Sequence, residues 1–484
     1  MAVDVRSPLF ILGALLAVMS FGMLWPAMAE WVDQGPDGAV FVACFFITVF
    51  AGVMLMLGFR PRVKLSLNIQ QAFVLTAAAW IVLTMFAALP FSLSSLHLSY
   101  VDAFFETMSG FTTTGSSVIV GLDKAPSGVL WWRSLLQWFG GVGIIVMAVA
   151  VLPFLRIGGM QLFRTESSDR SEKILPRVQQ ISVAILTFYG LVSLASTMAL
   201  WAVGLSFFDA ANHMMAAIAT GGFSTRDASV GALANPAAEW ILTATMFIGG
   251  STFPLWIQSW TQRKWLFLHD SQLRLYTLLI LVNSLGLAIW HIVANKAPAL
   301  TALRDSLFSV VSIVTTTGFV TSDYTTWGNF PIVLIFFLTF VGACTGSTAG
   351  GIKMFRLQIL YQMARIQLLR LTHPNAVIVP TFNHREISRE VINSVAGFVF
   401  LYFFCFVVLS IGLGLFGLDL DSSLSGAATA LGNVGPGVGE LIGPSGNFST
   451  LPDGAKWLLA LGMLLGRLEL LTLLVLLMPS FWRA

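Results

Sequence analysis

Charge is what this chain has least of. Only 10% of its 484 residues are Asp, Glu, Lys or Arg, against about a quarter in soluble proteins. Apolar residues reach 56%, and several runs of roughly 20 apolar residues match the length needed to cross a bilayer. This excludes the set of soluble domains that the length alone would suggest. Cysteine is scarce as well: Cys44, Cys344 and Cys405 lie in apolar or glycine-rich stretches without metal-ligand spacing. They read as small packing residues, neither a disulfide framework nor a metal centre. The six histidines (97, 213, 269, 291, 373 and 384) show no paired spacing, so none is assigned chemistry, and His213 reads as a packing residue. The net charge of +3 does not indicate nucleic acid, because the basic residues fall in loops between apolar runs.

The remainder reads as an all-α polytopic membrane protein. The first apolar run, Pro8 to about Trp25, lacks a small-residue cleavage motif and is followed by a second span, so it reads as a retained helix rather than a signal peptide.

Four glycine-bearing turns organise the chain. Asp102 precedes Gly115 by thirteen residues, and the same separation recurs from Asp209 to Gly222 and from Asp305 to Gly318. A fourth copy has Ser422 and Gly435 in these places. The turns are Thr112-Thr113-Thr114-Gly115, Ala219-Thr220-Gly221-Gly222, Thr315-Thr316-Thr317-Gly318 and Gly432-Asn433-Val434-Gly435. Asp and Ser are good N-caps, so each copy is predicted to be a short helix capped at that residue and ending in the turn. Each copy sits between two apolar spans. The expected organisation is two N-terminal helices (1–64), then four units of span, half-helix, loop and span at 65–165, 166–264, 265–378 and 379–484. That gives ten spans, with both termini on one side. The loops opposite the turns carry Arg156, Arg164, Arg170, Lys173, Arg356, Arg365 and Arg370, while the turn side is poor in Lys and Arg. The turns are therefore expected to face outward and the termini the cytoplasm.

A twelve-residue helix from Asp102 reaches roughly 18 Å, about half of the hydrocarbon core. The irregular turn after it leaves backbone groups unpaired at membrane depth, which is tolerated only where they are buried in protein or line water. Four such turns around one axis can present a ring of carbonyl oxygens, a replacement for the hydration shell of a monovalent cation. The half-helix C-termini add attraction for cations.

SGFTTTG (109–115), ATGGFST (219–225), TTTGF (315–319), GNVGPG (432–437), GACTGSTAGGIK (342–353) and LLGRLE (464–469) together resemble the Trk/Ktr/HKT superfamily of potassium transporters, most closely its bacterial Trk type. The resemblance covers nearly the whole chain. It implies four M1–P–M2 units in pseudo-fourfold arrangement, transport of K+, a homodimer in the bacterial inner membrane, and a cytoplasmic ring of nucleotide-binding (NAD or ATP) regulatory subunits. It implies no cofactor within this chain. In some related plant proteins a serine at the first filter glycine accompanies sodium transport; here that residue is Gly115. Discrimination among K+, Rb+, NH4+ and Na+, and coupling to H+ or Na+, stay open. Two rivals are disfavoured. An alternating-access carrier usually shows two broken-helix repeats, against the four units here. An intramembrane enzyme needs a convergent His, Asp or Cys constellation that the spans do not show, so the chain reads as a transporter and not an enzyme.

Two further features point to a gate. The third unit's second span meets Gly342-Ala-Cys344-Thr345-Gly346-Ser347-Thr348-Ala-Gly350-Gly351, a poor helix interior, and reads as an intramembrane loop. Arg467 lies twelve residues into the last span, near mid-bilayer, where an arginine usually faces a cavity. Its alternative role is a structural ion pair. Resemblance also places an obstruction of the conduction path at these positions. The three aspartates are equally well explained as caps or as cation attractors at the mouth.

Overall fold

The computed structural model describes residues 5–61, 67–150, 174–375, 379–383 and 385–483. The basic positions Arg156, Arg164, Arg170 and Lys173, with His384, lie outside them.

The N-terminal pair is α1 (Arg6–Phe21) running into α2 (Leu24–Val32), then α3 (Gly38–Gly58). The first unit has α4 (Ile69–Ala87) and α5 (Leu89–Leu93), the short α6 (Tyr100–Phe111), and α7 (Ser127–Ala150). The second has α8 (Ile174–Ala202), the short α9 (Phe207–Ile218), α10 (Pro236–Gly249) and α11 (Phe253–Gln262). The third has α12 (Ser271–Asn295), the short α13 (Ala299–Val314), α14 (Asn329–Val341) and α15 (Met354–Thr372). A small hairpin of β1 (Thr381–Phe382) and β2 (Arg385–Glu386) leads into α16 (Arg389–Leu415), the short α17 (Leu420–Gly432), α18 (Asp453–Arg467), α19 (Leu471–Leu474) and α20 (Pro479–Arg483).

Among the described residues six runs are long and apolar enough to cross a membrane, and counting each of two bent pairs as one span brings the number to eight. The 24-residue α7 and the 13-residue α14 occupy the two remaining places of the expected ten. Burial is reversed relative to a soluble protein. Phe46, Leu285 and Phe400 face outward, as expected where the surrounding solvent is acyl chain, while the four short helices are buried along most of their length.

Glu30 explains how the N-terminal pair attaches. Its buried carboxylate accepts from the Gly128 N–H at 2.5 Å, in the first turn of α7, where unpaired N–H groups favour an anion. Asp37 likewise accepts from the Ser95 N–H and hydroxyl at 2.8 and 2.9 Å.

The short helices begin earlier than expected. Ser99, Ser206 and Asp419 are the N-caps, accepting from the N–H groups of Asp102, Asp209 and Ser422 at 3.1, 3.0 and 3.2 Å. Asp102 and Asp209 are therefore third-position residues whose carboxylates take the cap hydroxyls at 2.8 and 2.9 Å. Asp305 lies well inside α13, which starts after Pro298. Polar residues recur at both cap and third position in such helices, so the thirteen-residue spacing located the helices but misplaced their caps.

Two spans expected to be continuous are broken. α10 and α11 meet at 91° across Gly250–Thr252, and α18 turns by 106° into Leu471–Leu477. At the second break Glu469 and Leu470 have φ of +58° and +45°, which no helix accommodates.

Candidate ion pathway

Each short helix ends in the same hydrogen-bonded turn. Thr113 and Thr114 N–H donate to the Gly110 and Ser109 carbonyls at 3.0 and 2.8 Å; Thr220 and Gly221 donate to Ala217 and Ala216 at 3.1 and 2.8 Å. Thr316 and Thr317 donate to Ile313 and Ser312 at 3.0 and 2.8 Å, and Asn433 and Val434 to Ala430 and Thr429 at 3.4 and 3.1 Å. This pairing satisfies the last helical carbonyls and needs a left-handed residue. Thr113, Thr220, Thr316 and Asn433 fill that place, with φ between +53° and +57°. Asparagine tolerates it; β-branched threonine does so at a cost of order 1–3 kcal/mol, sustained only by surroundings that over-determine it.

Two residues further, Gly115, Gly222, Gly318 and Gly435 also have positive φ, from +78° to +97°. Each lies against the next turn. A Cβ on Gly115 would lie 2.3 Å from the Gly221 oxygen, on Gly222 2.0 Å from Thr317, on Gly318 1.9 Å from Val434, and on Gly435 2.8 Å from Thr114. The order first to second, second to third, third to fourth and fourth to first is a closed ring. Only glycine allows so close an approach. Two side chains add cross-links, Ser116 Oγ donating to the Gly435 carbonyl at 3.0 Å and Asn433 Nδ2 to Thr114 Oγ1 at 3.0 Å. On the side of the helix N-termini the four glycines line a cavity of about 90 Å³.

Against the opposite side of the ring lies the segment 342–353. Gly342, Gly346 and Gly351 take φ of +68°, +81° and +71°, ending α14 after Val341. The break in the second unit holds this loop: Cys344 and Thr348 N–H donate to the Gly250 and Gly249 carbonyls at 3.0 and 3.2 Å, and Thr252 Oγ1 to the Thr345 carbonyl at 3.0 Å. Ser347 Oγ closes the loop on the Cys344 carbonyl at 2.6 Å. Thr348 Oγ1 is 3.1 Å from Thr220 Oγ1 of the second turn, and Gly350 N–H donates to Thr316 Oγ1 of the third at 2.8 Å. A Cβ on Gly350 would lie 2.4 Å from the Gly432 carbonyl of the fourth.

Arg467 closes the remaining side. Its Nη1 donates to the Thr348 carbonyl at 2.7 Å and its Nη2 to the Gly140 carbonyl of α7 at 3.3 Å. Among the described residues no carboxylate pairs with it. Three buried polar atoms around this level, Thr113 Oγ1, Asn433 Oδ1 and Arg467 Nε, have no hydrogen-bond partner among the described residues.

Residues 37–483 match the family model described as "TrkH: Cation transport protein". The chain belongs to the TrkH cation transport family. It is 44% identical over 98% of its length to the Trk system potassium uptake protein TrkI of Halomonas elongata, covering 96% of that protein. It is 37% identical to TrkH of Escherichia coli, covering 98% of each chain. The crystal structure of the potassium transporter TrkH from Vibrio parahaemolyticus superimposes with a TM-score of 0.92 at 36% identity, over 99% of this chain and 100% of that one.

In this TrkH-family member the aspartates near the short helices are already paired. Asp102 meets buried Lys456 at 2.5 Å, Asp209 meets Arg226 at 3.2 Å, and Asp305 meets Arg304 at 3.4 Å, which also pairs with Glu239 at 2.8 Å. Structural pairing thus explains them better than cation attraction.

Several residues at the site were not legible beforehand. Gln137 of α7 donates to the Gly221 carbonyl at 2.5 Å and accepts from Phe223 N–H at 3.1 Å, fixing the second turn. Glu469 lies two residues after Arg467, beyond the end of α18. It sits in the break, where its carboxylate takes Lys353 Nζ at 2.9 Å and the Arg356 guanidinium, all three buried. Arg356 is therefore not part of a basic surface, whereas Arg365 and Arg370 are exposed. The signal for both was a polar residue within a largely apolar run; the partners lie too far along the chain to be read from it.

Proposed function

We propose that this protein is a potassium-uptake transporter of the bacterial inner membrane, conducting K+ through a pore without covalent chemistry. Thr112–Gly115, Ala219–Gly222, Thr315–Gly318 and Gly432–Gly435 form its selectivity filter. The closed ring of glycine-to-carbonyl approaches carries this reading. It supports four M1–P–M2 units around one axis, with the cavity of about 90 Å³ as the outer mouth and both termini cytoplasmic. The half-helix C-terminal ends converge below the ring, where their partial negative charge favours a cation. Thr113 Oγ1, Asn433 Oδ1 and Arg467 Nε, buried with no hydrogen-bond partner among the described residues, suit a hydrated path.

The loop Gly342–Gly351 and Arg467 act as the gate. They lie beneath three of the four turns, and a guanidinium with no carboxylate partner among the described residues repels a cation leaving the filter there. The protein works as a homodimer, and exposed Arg365 and Arg370 on α15 contribute to docking a cytoplasmic nucleotide-binding ring.

The test is growth of a potassium-uptake-deficient bacterium at low external potassium, paired with Rb+ flux in liposomes with and without a proton or sodium gradient. Rescue with flux that the parent sustains and Gly318→Ala loses is expected. Normal growth of the Gly318→Ala strain at low potassium overturns the filter assignment.

A further inference from the structure

A chain of buried polar groups stands behind the first two turns. The carboxylate of Glu106 on α6, fully buried, accepts from Arg133 Nε at 2.7 Å and from the Val118 N–H at 2.8 Å. From α7 the same guanidinium donates to the Ser224 carbonyl at 2.7 Å and to Ser117 Oγ at 3.2 Å, and lies 4.1 Å from the Phe223 ring centroid. His213 on α9 completes the chain, its Nε2 2.9 Å from Ser224 Oγ and its Nδ1 2.8 Å from the Asp209 carbonyl. Ser117 and Ser224 are each the second residue after a ring glycine, so the chain ties the first turn's exit to the second's.

The arrangement belongs to one half of the ring. Four places after Asp102, Asp209, Asp305 and Ser422 stand Glu106, His213, Ser309 and Gly426. Two places after the ring glycines stand Ser117, Ser224, Val320 and Gly437. Between the third and fourth turns the described bridges are Tyr324 Oη to the Gly437 carbonyl at 3.3 Å and, at the exposed rim, Ser445 Oγ to Asp323 Oδ2 at 2.9 Å, with no buried ion pair between them among the described residues. Arg133, Ser117 and Ser224 also line the cavity above the glycines. A bare guanidinium there would repel an entering cation, since buried charges are weakly screened. Glu106 cancels that charge and leaves the planar fork free to hold both exits.

We infer that Glu106, Arg133, Ser224 and His213 form a charge-compensated brace that sets the spacing of the first two turns and thereby the ion discrimination of the pore. The three side chains of Glu106, Arg133 and His213 are positioning residues, and the inference rests on the filter reading above.

The experiment measures the sodium-to-potassium permeability ratio by reversal potential in reconstituted bilayers. Removing both charges together (Glu106→Gln with Arg133→Gln) avoids an uncompensated buried charge. This neutral pair is expected to raise the ratio about tenfold, and His213→Leu about threefold, from loss of bonds to charged and buried groups. Combining all three is expected to add little, because both changes act through Ser224. If the neutral pair fails to fold, Arg133→Lys keeps the charge, loses the fork and should raise the ratio about threefold. A brace with only a structural role would change protein yield and total flux and leave the ratio alone. That result, with Gly115→Ser still shifting the ratio, overturns the inference and spares the filter. If Gly115→Ser also leaves the ratio unchanged, the filter reading falls and the inference with it.

Discussion

Arg467 donates to the carbonyl oxygen of Thr348 at 2.7 Å. The two residues are 119 positions apart, in the broken second spans of the fourth and third units, and the bond pins a cation beneath the ring of turns. Thr348 in turn holds the Gly249 carbonyl at 3.0 Å through its hydroxyl. One arginine, one loop and one helix break are thus fastened together at a single residue.

Loosening this fastening should raise flux. Arg467→Ala removes both the charge and the bond to Thr348, and Thr348→Val removes the hydroxyl that holds the loop to α10. Each is expected to give Rb+ uptake into liposomes severalfold faster than the parent, with the sodium-to-potassium ratio retained. Slower uptake by both well-folded variants would make Arg467 a structural residue.

The four ring glycines should not tolerate alanine equally. The clearances put a new Cβ 1.9 Å from a carbonyl at Gly318 and 2.0 Å at Gly222, but 2.8 Å at Gly435. All four also pay roughly 1–2 kcal/mol for positive φ. Gly318→Ala and Gly222→Ala should abolish uptake, Gly115→Ala should come close, and Gly435→Ala should keep the most. Uptake per folded transporter, with yield scored by gel filtration, checks the order.

Glu469 is an acid shared by buried Lys353 and Arg356. Glu469→Gln removes a shared carboxylate from two buried cations, a loss of about 3–5 kcal/mol by analogy with broken buried pairs. The expected result is a clearly lower melting temperature and a reduced yield in detergent. A thermal profile matching the parent would show that the cluster is solvated in the working protein.

The exposed arginines of α15 lie well apart from that cluster. Reversing Arg365 and Arg370 to Glu should weaken co-purification of the proposed nucleotide-binding partner while leaving oligomerisation and melting temperature of the protein unchanged. Unaltered partner recovery from solubilised membranes would move the docking surface elsewhere.

The chain's class, the four glycine turns and the glycine-rich interruption after Val341 were all present in the sequence. They are local: a long apolar run, a positive-φ turn and a helix-breaking stretch each declare themselves within a few residues. The breaks at Gly250–Thr252 and Glu469–Leu470 were not read there, because the flanking runs on both sides stay apolar and hydropathy carries no record of direction, although Gly249-Gly250-Ser251-Thr252 before Pro254 was a local signal for the first. Nor were the true caps, since Ser99 and Asp102 offer equally good polar signals three residues apart. Tertiary structure alone decided the order of the ring and the partners of Arg133, Gln137, Arg467 and Glu469. Inside a membrane protein both the lipid face and the core are apolar, so the pattern of side chains fixes where the chain crosses. Which polar groups meet is settled only when helices remote in sequence must satisfy one another's buried donors and acceptors.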